Sequence, residues 1–305
     1  MTNFARLFVF TLIAPVFLSG CATYNMTKAA PAQSQPISVI YSSEGPSGWS
    51  DLPIGAYRVP KTNVIISGQQ SGSPVGGMFG VLGVLAQDTI EAGASARAVK
   101  SGESALHVDL VPQAKEIAEK LLAAGRFGQA FAMTQAQNAP TLMIDPYVVI
   151  TFTSDTEARP FVVLKATLKS GQAGSADWTT RYTASAGKPL PIAGDNGWTA
   201  NGGQPLNDAL AHDLESAIGA MLDDVATRHI RDDGKLFYVE AAYPYLRQRM
   251  ASPGYELAED DKSITFVPKF ADAMIVAGVH VLDKSVITAR PATKDDKFQM
   301  LDEGK

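Results

Sequence analysis

Three apolar, β-branched runs follow one another in the middle of the chain: Thr141 to Thr153, Phe161 to Leu168 and Trp178 to Ala184. They read as strands. Their alternation is only partial, and Phe161 to Leu164 is continuously apolar. A sheet made of such strands must be covered on both faces, because neither set of side chains suits water. Pro146 falls inside the first run and predicts an interruption or an edge there, and Pro160 stands just before the second. The clearest cover for this sheet is a helix over Asp208 to Arg228. Leu210, Leu214, Ile218, Met221, Leu222 and Val225 recur at steps of three and four and form one apolar stripe. Asn207 is its expected cap, with Asp208 and Asp213 near the positive end and Arg228 near the negative end. Pro112 to Ala124 predicts a second helix, with proline in the first turn, Gly125 as the stop, and Ile117, Leu121 and Leu122 on one face.

The remaining segments complete a mixed α/β (α+β) layout, a mixed sheet packed by two or three helices with a smaller C-terminal β-rich module. Ile37 to Tyr41 and Asn63 to Ser67 read as short strands, with a turn-rich stretch between them that holds Trp49 as a packing residue. Residues 185–206 read as a long loop whose Trp198 also packs. Lys235 to Glu240, Ser263 to Val267, Met274 to Ala277 and Val279 to Ala289 read as short strands. Tyr245 to Met250 is compatible with a small helix stopped by Pro253-Gly254. The expected division is 21–36 as a flexible tether, 37–230 as the body, 231–289 as the β-rich module and 290–305 as a frayed charged tail.

Of the 305 residues, 46% are hydrophobic and 19% charged, which excludes a wholly disordered chain. No run of about 18 apolar residues occurs, which excludes a polytopic helical membrane protein. The formal charge of −5 offers no basic field for nucleic acid. A single cysteine excludes an intramolecular disulfide framework and a cysteine-based zinc site.

That cysteine has a specific context. Arg6 precedes an apolar run from Leu7 to Phe17, too short to cross a bilayer comfortably but suited to a signal-peptide core over residues 1–20. Leu18-Ser19-Gly20-Cys21 follows. This order resembles the lipobox of bacterial lipoproteins. The resemblance implies a diacylglycerol on the Cys21 sulfur, cleavage before Cys21 and acylation, with palmitate for example, of the new amino group. Ala22 stands where an aspartate would mark inner-membrane retention, so the resemblance points to the outer membrane and its periplasmic face. An ordinary secretory cleavage site and an uncleaved anchor are the alternatives. More loosely, the whole chain resembles uncharacterised envelope lipoproteins of Gram-negative bacteria that carry a glycine-rich apolar segment after their first strands. That likeness implies no reaction and no functional residue beyond Cys21.

The glycine-rich segment here is Val75 to Ala86, with Gly76 and Gly80 four apart and Phe79 and Leu82 among their apolar neighbours. A helix with one smooth face can approach a neighbour closely, so the segment reads as a buried or partner-facing helix, with these four residues as its possible interaction face. Membrane insertion and a phosphate loop are the other readings, the latter without GxGxxG or a following Gly-Lys-Ser/Thr.

Catalytic motifs are absent. His107, His212, His229 and His280 have no metal-ligand spacing, and HExxH does not occur. His212 reads as solvated, His229 as a contact to the helix end, and His107 and His280 as strand positions. No serine lies in GxSxG. The pairs Asp223-Asp224, Asp232-Asp233, Asp260-Asp261 and Asp295-Asp296 read as solvated surface. No catalytic residue, metal or cofactor is expected. The sequence therefore predicts a lipid-anchored, periplasm-facing, non-enzymatic binding or assembly module, with the membrane and an envelope protein as partners. The rival readings are a periplasmic hydrolase with a site assembled from distant segments, and a carrier of lipid or a small ligand.

Overall fold

A computed structural model describes residues 26–47, 51–53, 55–68, 103–132, 139–170, 177–185, 187–269 and 275–301. The lipobox, Trp49 and the whole Val75 to Ala86 segment, including Gly76, Phe79, Gly80 and Leu82, lie outside the described residues. The centre of the molecule is a long antiparallel pair, β5 (Thr141–Phe152) and β6 (Glu157–Lys169), in register from Thr141 opposite Lys169 to Phe152 opposite Ala158. β7 (Trp178–Ser185) extends it antiparallel to β6. On the other side of β5 lie two parallel strands placed end to end. β1 (Ile37–Tyr41) runs beside residues 141–144, and β3 (Val64–Ser67) beside 148–151.

Pro146 does not interrupt β5 or lie on an edge. The Ile144 carbonyl accepts from Ser42 toward β1, and the Val148 amide donates to Asn63 toward β3. Pro146 shares their parity, so its missing N–H falls in the gap between those two strands and costs no ladder bond. Beyond β1 lies the two-residue strand β4 (Phe131–Ala132), and β2 (Tyr57–Arg58) pairs with β3. β8 (Leu190–Pro191) pairs with the start of β6.

The C-terminal strands continue the same sheet. β12 (Val279–Asp283) lies parallel to β7, followed outward by β11 (Ser263–Pro268), β10 (Arg249–Glu259), β9 (Leu236–Ala241) and β13 (Thr288–Pro291). β14 (Gln299–Leu301) pairs with β10, and the strands among the described residues form a 14-stranded mixed sheet. The fold is α+β, as the sequence pattern predicts. Several local expectations differ. Tyr245 to Met250 is not helical: Tyr245 takes φ 69° and the chain passes straight into β10. Pro253-Gly254 lies inside β10, where a Cβ on Gly254 would come within 2.4 Å of Phe266 and the Val267 carbonyl. Residues 275–278 form a turn rather than a strand, and Val279 to Ala289 divides into β12 and β13 around a turn. The described part of the charged tail carries the end of β13 and the whole of β14 and is not frayed, with Arg290 gripping Asp296 through both guanidinium Nη atoms.

Two helices occur among the described residues. α1 (Val111–Ala123) has Pro112 in its first turn and Gly125 at φ 70° after its end, as expected. It turns Ala114 and Ala118 fully inward, with Ile117, Leu121 and Leu122 partly buried. α2 (Gln204–Thr227) begins before its expected start, from Gly203 at φ 90° with Pro205 in the first turn. Asn207 is therefore inside the helix and does not cap it. The predicted stripe of α2 is buried from Leu210 to Val225 and packs across β6 and β7.

The opposite face of the central strands is also covered. Ile65, Tyr147, Val149, Phe161, Val163 and Tyr245 form a separate buried cluster there. Its lid is pinned by a fully buried Asp51, which receives Arg181 Nη2 at 3.0 Å and Lys165 Nζ at 2.6 Å. Lys165 and Arg181 stand directly opposite on β6 and β7, a repulsive cross-strand pair that the Asp51 carboxylate neutralises. Burial alone would raise the Asp51 pKa, but the Arg181 charge and the Lys165 contacts outweigh it and lower it. The Tyr245 hydroxyl donates to the Asp51 carbonyl at 2.8 Å, and the backbone turn at Tyr245 is held by its amide donating to Thr151 Oγ1 and its carbonyl accepting from Ser67 Oγ.

Residues 26–30 do not behave as a free spacer. Met26 and Ala30 are buried, and the carbonyls of this segment are gripped by the body. Thr180 Oγ1 donates to Met26 O, Trp178 Nε1 to Lys28 O, Arg231 Nε to Thr27 O and Arg228 Nε to Ala30 O.

Candidate functional site

A cleft of about 370 Å³ opens where the first half of α2 passes the ends of β7 and β12. Its lining includes Asp213, His212 and Ser216 from α2, Ser185 from β7, Asp283 from β12 and the turn Asp260–Lys262 between β10 and β11. Parallel pairing of β7 with β12 sets Ser185 beside Leu282 and so brings Asp283 to the rim. A narrower recess lined by Arg159, Thr183 and His280 shares Ser185, Val281 and Asp283 with it.

Most of these groups already have defined partners. Asp283 accepts from the Ser285 amide at 2.8 Å and the Gly187 amide at 3.2 Å. Burial pushes its pKa up, but these bonds and the Arg159 charge prevail and lower it. Asp260 accepts from the amides of Lys262 and Ser263 at 2.8 and 2.6 Å, which holds its carboxyl below the ordinary range. Ser216 Oγ donates to the His212 carbonyl, and Ser185 Oγ to the Pro160 carbonyl. Neither hydroxyl donates to an imidazole in these contacts, the arrangement that activates a serine nucleophile. Asp213 is 1% exposed on the same buried side of α2 as Leu210 and Ala217. Its charge and that of Asp283 reach Arg159, whose Nε is buried and has no hydrogen-bond partner among the described residues. Burial and the neighbouring Arg249 lower the Arg159 pKa, yet a guanidinium remains cationic.

The other expected groups are dispersed. His280 is buried in β12, with Nε2 2.8 Å from the Val276 carbonyl and its ring edge-on to Tyr243. Burial lowers its pKa to about 4, so at neutral pH it is an uncharged core residue. His212 is exposed, as expected, and His229 pairs with Asp223 at 2.8 Å. His107 is exposed in an irregular segment and is not a strand residue. Trp198 packs as expected, its Nε1 donating to Ala158 O at 2.6 Å. No cluster of three metal-ligating side chains occurs among the described residues.

Asp223-Asp224 is not a pair of solvated acids. Asp224 is 1% exposed, and Arg231 grips it with two bonds of 2.7 and 2.9 Å. The Tyr182 hydroxyl adds a third at 2.8 Å; burial and the Asp224 charge raise its pKa well above the ordinary value, so it stays a donor. Sequence reasoning missed both Asp213 and Asp224 as buried acids. The signal was present, because Asp213 lies three residues from Leu210 and Asp224 three from Met221, both members of the α2 stripe. No known protein family matches the sequence, and no curated protein is detectably similar to it. No helix among the described residues is long and apolar enough to cross a membrane, which leaves strand-built membrane proteins unaddressed.

Proposed function

We propose that the chain is a lipid-anchored envelope protein, held through Cys21 on the periplasmic face of the outer membrane, whose body is a non-enzymatic binding or assembly module. The anchoring half of this reading rests on Arg6, the Leu7 to Phe17 run and Leu18-Ser19-Gly20-Cys21. The binding half rests on one observation about the cleft. Asp260 and Asp283 are held ionised by backbone amides, so they serve as fixed negative acceptors rather than as proton donors. Fixed acceptors beside Lys262 and Lys284 suit the polar rim of a protein partner that presents donors of its own.

The hydrolase reading needs an activated hydroxyl, and Ser185 and Ser216 are instead engaged with carbonyls. The carrier reading needs an enclosed apolar cavity, and this cleft is open, with acids, lysines and serines standing beside Ala184 and Val281. The test is amine-directed crosslinking in intact cells, followed by mass spectrometry. The expected result is an envelope protein joined through Lys262 or Lys284 and lost when Asp283 is replaced by Ala. Only intrachain links at these lysines, together with hydrolysis of an ester or glycoside that Asp213→Asn abolishes, would favour the enzyme instead.

A further inference from the structure

We infer that the end of α2 around Ile230 is a membrane-contacting surface, with Ile230 entering the interface of the same bilayer that holds the lipid on Cys21. The inference rests on the anchoring reading above. Its geometric basis is the clamp on residues 26–30. Cys21 precedes Met26 by five residues, and an extended chain spans at most about 3.6 Å per residue, so the acylated sulfur lies within about 20 Å of the clamp. The spacer therefore keeps the clamp within about 20 Å of the membrane, and the surface next to the clamp is the one held nearest to it.

That surface has a distinctive composition. Arg228 Nε reaches Ala30 O and Arg231 Nε reaches Thr27 O, so the loop 228–231 lies directly against the docked segment. Between these two arginines stands Ile230, which is 84% exposed, against 37% for Phe298, the other exposed large hydrophobic residue among those described. Lone exposed apolar side chains are common on protein surfaces and carry no meaning by themselves. Here the side chain stands two residues from the exposed Arg228, on a loop hydrogen-bonded to the docked segment that carries the exposed Lys28. The nearest acids on α2 are already engaged, Asp223 by His229 and Asp224 by Arg231. Asp232, exposed one residue beyond Arg231, accepts from the Gly234 amide, and Asp233 is paired with Lys269. An apolar residue flanked by cations suits the boundary between headgroups and acyl chains, where the cations meet phosphates.

The test uses the full-length lipidated protein. Cys21 is the only cysteine in the chain and its sulfur is consumed by the lipid, so Ile230→Cys supplies one thiol for an NBD fluorophore. Asp208→Cys, twenty residues before Arg228 on α2 and so about 30 Å along the axis, provides an exposed comparison site. Each labelled protein is placed in phosphatidylethanolamine/phosphatidylglycerol vesicles with and without a doxyl-labelled lipid. The expected result is blue-shifted emission and doxyl quenching at position 230, with neither at position 208. Equal, water-like emission at both positions in protein whose Cys21 carries lipid by mass spectrometry would overturn the membrane surface alone. Absence of lipid from Cys21 would overturn the anchoring reading and this inference with it.

Discussion

Asp213 and Asp224 lie eleven residues apart on α2, close to three full turns, so both project to the same buried side, and each is about 1% exposed. Their surroundings differ. Asp224 is enclosed by the two Arg231 bonds and the Tyr182 hydroxyl, and the same arginine holds the Thr27 carbonyl. Asp213 borders an open cleft, with the Arg159 charge nearby. A buried carboxylate is tolerated when cations and donors surround it, and what surrounds it decides its use. At one end of α2 the acid locks the emerging N-terminal segment to the body. Near the middle of the helix, about 16 Å along its axis from Asp224, Asp213 borders the cleft in which the proposed partner would sit.

The sharpest way to break this contrast is Arg231→Ala. It leaves the Asp224 carboxylate buried without its cation and should cost about 3–5 kcal/mol in urea unfolding, with faster proteolysis after residues 26–30. A loss within experimental error would mean that the clamp is an exposed ion pair of no structural weight. Leu214→Ala comes next, because Leu214, next to Asp213 in the chain, is fully buried in the stripe that packs the helix onto the sheet. A cost of about 2–5 kcal/mol is expected, and an unchanged denaturation midpoint would remove α2 from the core. His280 probes the wall behind the cleft. Its folded pKa of about 4 lies below its ordinary value of 6.5, so the unfolded chain takes up a proton first as pH falls. Stability is complete above pH 6.5, declines as pH drops toward 4, and loses about 3 kcal/mol from this group over that range. His280→Gln should flatten the part of the pH–stability curve that belongs to the imidazole. The smallest effect is expected from Asp213→Asn, which keeps the shape of the side chain and one acceptor oxygen and should alter stability by about 1 kcal/mol. Its consequence should appear instead as weaker crosslinking through the cleft.

Periodicity and turn chemistry made much of this fold legible. The Ile37–Tyr41 strand, the continuous apolar run in β6 and the α2 stripe all follow from local pattern. What failed depended on neighbours distant in sequence. Pro146 reads as a breaker until β1 and β3 are seen to leave a gap at its nitrogen. Pro253-Gly254 reads as a stop until Phe266 is seen to lie where a side chain would stand. Residues 26–36 are polar enough to suggest a spacer, because the groups that dock residues 26–30 are backbone carbonyls, which no side-chain pattern reveals. The cleft was illegible for the same reason. Asp213, Asp260 and Asp283 come from three segments, and only the parallel pairing of β7 with β12 and the path of α2 bring them together.

The claim that organises the whole account is that Cys21 holds this body to a membrane through a short leader and a docked segment. The most direct measurement compares the natural chain with Cys21→Ser by metabolic labelling with a palmitate analogue, followed by membrane fractionation and a carbonate wash. The natural chain should carry label and remain in the washed membrane pellet. The Cys21→Ser chain should carry none and keep residues 1–20, because a hydroxyl does not replace the thiolate that accepts the lipid. Label on the Cys21→Ser chain, or an unlabelled natural chain recovered in the soluble fraction, would contradict the account.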